Sequence, residues 1–215
     1  MFVKPVERRF ARSLRNGYGH PTLISADRTP EFAVRRPKTK AALAYAEQLH
    51  EGQHRSIDGA PFIFHPIEVG TLLYEAGATD DVVAAGVLHD TLEKTDATAY
   101  DIYARFGRHV GDIVSAVSHN PGIPGYARRK AELRNQVAGA GDDALTVFAA
   151  DKLANARELR LGDRSVTKAQ SRKLRNYRRS LAMLQERLPD SSLVAALATE
   201  LDAVSDPGQP SADSH

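Results

Sequence analysis

The chain has 215 residues, a formal net charge of +2, 42% hydrophobic and 26% charged residues, and no cysteine. That balance excludes wholesale disorder and a membrane protein, and the length suits one domain with tails. No apolar run approaches the ~18 residues that span a bilayer, and the start MFVKPVERRFARS carries charges where a signal peptide is apolar, so the cytoplasm is the expected compartment. Without thiolates, strong metal ligation falls to His and carboxylates alone.

Residues 1–37 read as a basic N-terminal arm. Positions 1–36 hold eight Lys/Arg against three Asp/Glu, which leaves the rest of the chain slightly acidic. Most arms of this kind are simply solvated, and nucleic acid is not an expected partner. Residues 38–204 read as one all-α domain, because apolar residues return every three to four positions and strand-like alternation is hard to find. A first helix over Lys38–His50 aligns Ala42, Ala46 and Leu49 and stops before Gly52. Pro66 opens a second helix to Ala76, which places His65 at or near its N-cap. Asp80 or Asp81 caps a third, DDVVAAGVLHDTLEKT, with His89 and Asp90 near its end.

Thr98 and Asp101 form a capping-box variant before a short helix to Phe106, and Val110, Ile113, Val114 and Val117 repeat at helical spacing. NPGIPGYARRK, from Asn120 to Lys130, is a loop with a basic end, and helix resumes by Ala131. Asp143–Leu161 carries Leu145, Phe148 and Leu153 on one face, with Asp151 and Asn155 one turn apart. Leu174, Tyr177, Leu181, Leu184 and Leu188 form a long stripe ended by Pro189. A last helix spans Ser191–Val204, and 205–215 is a disordered tail with nothing to bury.

Among eight histidines, His20, His50, His109, His119 and His215 read as surface or structural residues. His89 and Asp90 differ, because an ionisable pair after AAGVL on an apolar helix needs compensation, and a divalent cation supplies it. FIFHP and FAADKLAN likewise place one potential ligand each at the edge of an apolar segment.

Read together, AYAEQLHEGQHRSIDGAPFIFHPIEV, AAGVLHDTLEKT, FGRHVGDIVSAVS and FAADKLANARELR resemble the HD-domain phosphohydrolases, and within them the hydrolase domain of RelA/SpoT-type proteins and the small alarmone hydrolases. The resemblance runs from about Ala41 to Arg160. It implies an HD-type helical bundle holding one divalent ion, Mn²⁺ with Fe²⁺ or Zn²⁺ as alternatives, on His65, His89, Asp90 and Asp151. It also implies hydrolysis of the 3′-pyrophosphate of ppGpp or pppGpp, in the stringent response. Such an ion activates water and neutralises charge on the attacked phosphate.

Glu93, four residues after His89, is expected on the metal-facing side as general base. In the family this Glu is followed by Asp, whereas here Lys94 follows, able to pair with Glu93 or contact phosphate. The resemblance assigns Arg55 and Asn155 to the nucleotide, and Tyr177 by weaker analogy, its stripe pointing to core packing. Arg128, Arg129 and Lys130 either screen phosphates or are solvated. Two other readings stay open: a phosphatase acting on another nucleotide such as NADPH, and a silent HD-domain sensor.

Overall fold

The computed structural model describes residues 30–161 and 168–205, and the helices below are those of the described residues. They are α1 (Glu31–Val34), α2 (Pro37–Leu49), α3 (Phe64–Glu75), α4 (Asp80–Leu88), α5 (Thr91–Lys94) and α6 (Ala99–Phe106), followed by α7 (Arg108–Val117), α8 (Tyr126–Ala138), α9 (Asp142–Leu161), α10 (Lys168–Arg187) and α11 (Ser192–Ser205). The expected all-α bundle is what the chain forms; among the described residues the only β pairing is an isolated bridge between His54 and Pro61. None of these helices is long and apolar enough to cross a membrane. The tail 206–215 and arm residues 1–29 lie outside the described residues. The end of the expected arm is already part of the core, since Phe32 and Ala33 of α1 are buried.

α4 is the axis of the bundle. Val82 through Leu88 are all buried, and α2, α3, α7 and α9 pack around it, as an all-round apolar helix requires. Its start differs from expectation: Thr79 is the N-cap and accepts from the Val82 amide, at 3.4 Å. Asp80 instead reaches across to α2, where its carboxylate accepts from the amides of Lys38 and Thr39 at 3.1 and 2.9 Å and from the Thr39 hydroxyl at 2.6 Å. Pro37 opens α2 and has no N–H, so Asp80 satisfies the next two orphan donors of that helix. One helix thereby caps its neighbour and fixes their register.

The expected continuous helix through Lys94 is also corrected. α4 ends at Leu88, and the Thr91 hydroxyl donates to the Leu88 carbonyl at 2.7 Å, taking an acceptor the helix ladder would use. α5 then restarts from Asp90, whose carbonyl accepts from Glu93 and Lys94. α3 begins at Phe64, two residues before the expected Pro66, so His65 lies within its first turn. Pro66 is tolerated there because first-turn amides have no intrahelical acceptor to lose. α8 begins at Tyr126, earlier than Ala131, because Gly125 at φ 79° turns the chain directly into it. The capping box forms as expected: the Thr98 hydroxyl accepts from the Asp101 amide and the Asp101 carboxylate from the Thr98 amide.

α3 and α4 approach closely at Gly86, where an added Cβ would lie 2.1 Å from Leu73 Cδ1. Leu73 is fully buried and cannot step aside. A helical Gly→Ala change gains about 1 kcal/mol, whereas overpacking costs about 1–3 kcal/mol. Gly86→Ala should therefore lower the thermal melting temperature, which calorimetry checks; an unchanged or raised midpoint would show that the α3–α4 contact gives way.

Candidate metal centre

The α3–α4 contact carries two histidines to one point. His65, from the first turn of α3, and His89, just past α4, bring their Nε2 atoms to 3.2 Å in a buried setting. The Nδ1–H of His89 donates to the Gly86 carbonyl at 2.7 Å, which leaves the Nε2 lone pair aimed into the cluster. His65 Nδ1 faces Glu158 Oε1 at 3.6 Å, beyond hydrogen-bond reach.

α9 supplies the carboxylate. Asp151 Oδ1 lies 3.3 Å from His65 Nε2 and 3.4 Å from His89 Nε2, so the three donor atoms form one tight group. Asp90 Oδ2 approaches the same nitrogens at 3.4 Å (His89) and 3.7 Å (His65). Metal–ligand bonds of about 2.1 Å give ligand-to-ligand edges of about 3.0 Å in an octahedron and about 3.4 Å in a tetrahedron. The measured separations fall around those values. Asp90 Oδ2 is buried and has Lys94 Nζ as its ion-pair partner at 3.0 Å. Two converging imidazole nitrogens and two carboxylates fit a divalent cation of the borderline class.

Electrostatics agree. Burial works against charge on His89, but Asp90 and Asp151 outweigh it and lift its pKa to about 10. Burial also opposes ionisation of Asp151, yet Lys152 and the two histidines hold it well below the usual carboxylate range. A cation bound by neutral imidazoles has to displace the proton that these carboxylates otherwise hold on His89. Apparent metal affinity should thus rise about tenfold per pH unit from pH 6 to 8, read by titration calorimetry in buffers of different ionisation enthalpy. Affinity independent of pH would exclude His89 as a ligand.

A cavity of about 710 Å³ opens beside the cluster. Arg55, Asn155 and Tyr177 all line it, as do Lys94, Lys130 and Lys152. Arg55 sits in a tight turn closed by the bonds Arg55 N–H to Ala60 O (2.8 Å) and Phe62 N–H to Gln53 O (2.9 Å), and its guanidinium pairs with Asp58 and with Glu158 at 3.2 Å. Asn155 donates to the carboxylate of Asp151 and to its carbonyl at 2.8 Å, which orients that donor. Tyr177 is buried in the α10 stripe with its edge on the cavity, and burial raises its hydroxyl well above the ordinary phenol range. It both packs and lines.

The two residues expected to do chemistry are placed unlike each other. Lys94 Nζ stands 3.0 Å from Asp90 Oδ2 and 4.0 Å above the Phe62 ring, at the cavity wall. Glu93, in the short helix α5, is engaged by His119. Its Oε1 accepts from the His119 amide at 2.7 Å, and Oε2 meets His119 Nδ1 at 2.5 Å. His50 is structural, with Nδ1 on Gln53 Oε1 at 2.9 Å, and His109 pairs with Asp143 on the surface. His20 and His215 lie outside the described residues. Glu158 and Lys152 were missed at the sequence level. The signal for Glu158 was its position seven after Asp151, two turns along the same face.

Behind His65, on the next turn of α3, Glu68 is part-buried, with both carboxylate oxygens out of contact with water and neither hydrogen-bonded; Arg157 Nη1 stands 3.7 Å away. Burial raises its pKa to about 7. Between pH 4.5 and about 7 the unfolded chain has ionised while the folded one keeps its proton, so the stability this group confers is full below 4.5 and lost as pH rises through 7. Glu68→Gln should melt higher than the parent at pH 8 and equally at pH 4.5. A gap that is the same at both would assign the effect to packing.

The fold is an α-helical bundle of the HD type with a donor group that could hold a metal ion, and comparison with known proteins agrees on the fold. The HD domain family model matches residues 42–188, and the chain belongs to that family. The chain is 38% identical over 121 residues to the human guanosine-3′,5′-bis(diphosphate) 3′-pyrophosphohydrolase MESH1, a match covering 55% of this chain and 67% of that protein. It is 34% identical over 106 residues to the bifunctional (p)ppGpp synthase/hydrolase SpoT of Escherichia coli K12, covering 49% of this chain and 15% of that one. Among solved structures, a metazoan ortholog of SpoT that hydrolyzes ppGpp superposes with a TM-score of 0.68 at 26% identity, covering 80% of this chain and 96% of the other. The lmo0812 protein of Listeria monocytogenes EGD-e superposes with a TM-score of 0.61 at 26% identity, covering 68% and 98%.

Proposed function

We propose that the chain is a metal-dependent phosphohydrolase acting on (p)ppGpp, releasing pyrophosphate and GDP or GTP in the cytoplasm, with Mn²⁺ as its ion and Fe²⁺ or Zn²⁺ as alternatives. One observation carries it: the His65–His89–Asp151 donor group, with Asp90 adjoining, stands at the wall of a cavity lined with cationic side chains. The kinship with MESH1 supports the same substrate.

His65, His89, Asp90 and Asp151 hold the ion. When bound, it supplies Lewis acidity to the attacked phosphate and to water. Asn155 keeps the Asp151 carboxylate oriented. Lys94 and Lys130 present ammonium groups to the phosphates, Arg55 closes the wall at the Gln53–Phe62 turn, and Tyr177 offers a ring edge to the base. Glu93 leaves His119 and takes the proton of the attacking water. A second reading is favoured by one contact. Lys94 sits on Asp90, adding a cation beside the ion, and this suits a phosphate dianion such as the 2′-phosphate of NADPH.

The test is product release from ppGpp and NADPH by the Mn²⁺-loaded protein. Pyrophosphate from ppGpp is expected; orthophosphate from NADPH alone selects the second reading. Tight nucleotide binding without turnover on either substrate would make the chain a sensor and overturn both. His89→Ala and Asp151→Ala should remove bound metal by elemental analysis, and Glu93→Gln should keep the metal and lose about 10²–10⁴-fold in kcat. Full activity in Glu93→Gln would remove Glu93 from the chemistry.

A further inference from the structure

The basic charge of the described residues is concentrated on two adjacent helices. α8 and α10 together carry eleven Lys/Arg against two Asp/Glu, net +9 in a chain of net +2, and of the eleven only Lys130 and Lys173 line the cavity. On α10, Arg172, Arg175 and Arg179 are exposed at i, i+3 and i+7, one face about 10 Å long. Arg134 of α8 leans over to donate to Asn176 Oδ1 at 2.6 Å. Burial, and then the charge of Arg179, lower its pKa. Among the described residues no carboxylate lies within ion-pair distance of Arg134, Arg172, Arg175 or Arg179. Like charges crowded without counter-ions are costly, and bound anions relieve them.

We propose that this α8–α10 face binds single-stranded nucleic acid through its phosphates. A mononucleotide in the cavity meets Lys94, Lys130 and Lys173 and has no use for an arginine row that lies outside its lining. The composition decides among polyanions. Arginine, which grips phosphate with a two-pronged fork, supplies every member of the row. Among the described residues the exposed large apolar ones, Val34, Ile57, Tyr74 and Tyr100, all lie elsewhere, so the face lacks the apolar wedge of a membrane-surface helix and the apolar centre of a protein interface; the one ring beside the row, Tyr126, is only part-exposed. Tyr126, under the Arg172 guanidinium at 4.5 Å, stands where the row meets the cavity and offers a ring to an unpaired base, the combination that single-strand binders use. This surface is separate from the basic arm, and it owes nothing to the ion.

The test uses the full chain and fluorescence anisotropy with a labelled 20-mer oligouridylate, the matching oligodeoxythymidylate, a 20-base-pair duplex and polyglutamate, at 50–200 mM KCl. With about five phosphates neutralised, single-strand affinity should fall about 100-fold across that range, following a slope of about −0.7 per contact. The variant R172E/R175E/R179E should bind at least 50-fold more weakly at 50 mM KCl, with a slope shallower by about 2 and an unchanged melting curve. The charge-matched R35E/K40E/R108E, altered on other exposed positions, should bind within threefold of the parent. Binding to either single strand with that pattern supports the proposal. Absence of binding at 50 mM, equal loss in both variants, tighter binding to the duplex, or equal affinity for polyglutamate overturns it. Should R172E/R175E/R179E melt early, the milder R172Q/R175Q/R179Q is read in its place, with a tenfold loss expected and no loss overturning.

Discussion

Two imidazole Nε2 atoms, 3.2 Å apart and buried, are held together by the surrounding helices. The pairing is set by backbone, not by the histidines themselves. His89 is fixed through its other nitrogen to Gly86, and Gly86 is also the point where α4 has no side chain, letting α3 and His65 come close. One glycine thus serves as hydrogen-bond acceptor and as clearance. Asp151 arrives from α9, which packs against both helices, and Asn155 and Lys152 keep its carboxylate from rotating away. Each donor is oriented by a partner one step farther out, as metal centres generally require.

Much of this was legible in the sequence. The helical stripes, the capping box at Thr98 and the donor-bearing segments FIFHP, VLHD and FAADKLAN could be read because burial of an ionisable group in an apolar run is costly wherever it occurs. What escaped was local competition for hydrogen bonds. Nothing in DDVVAAGVLHDTLEKT announces that α4 will stop at Leu88 and a new turn start from Asp90, with the Thr91 hydroxyl on the Leu88 carbonyl. With that break, the spacing from His89 to Glu93 spans two helices, and the Glu93 carboxylate pairs with His119. Asp80 shows the same limit: it looked like the cap of its own helix, yet it caps α2, because tertiary proximity offered it three donors at once.

Lys94 illustrates how a single position changes the character of a site without disturbing its frame. Its ammonium is held between a carboxylate and an aromatic face, and its carbonyl accepts from Gln53 at 2.9 Å, so α5 and the turn before α3 are tied together. The result is a fixed positive charge next to a ligand set that is itself negative.

The helices divide into two groups by what they contribute. α3, α4 and α9 supply the donor atoms and lie deep in the bundle, where changing one side chain disturbs many neighbours. α8 and α10 form a wall that meets them mainly along one side, with most of its charged residues in water. Such a division uncouples the two parts: substitutions on the exposed wall have small thermodynamic consequence, whereas any change in the buried donor group is transmitted through the packing of three helices.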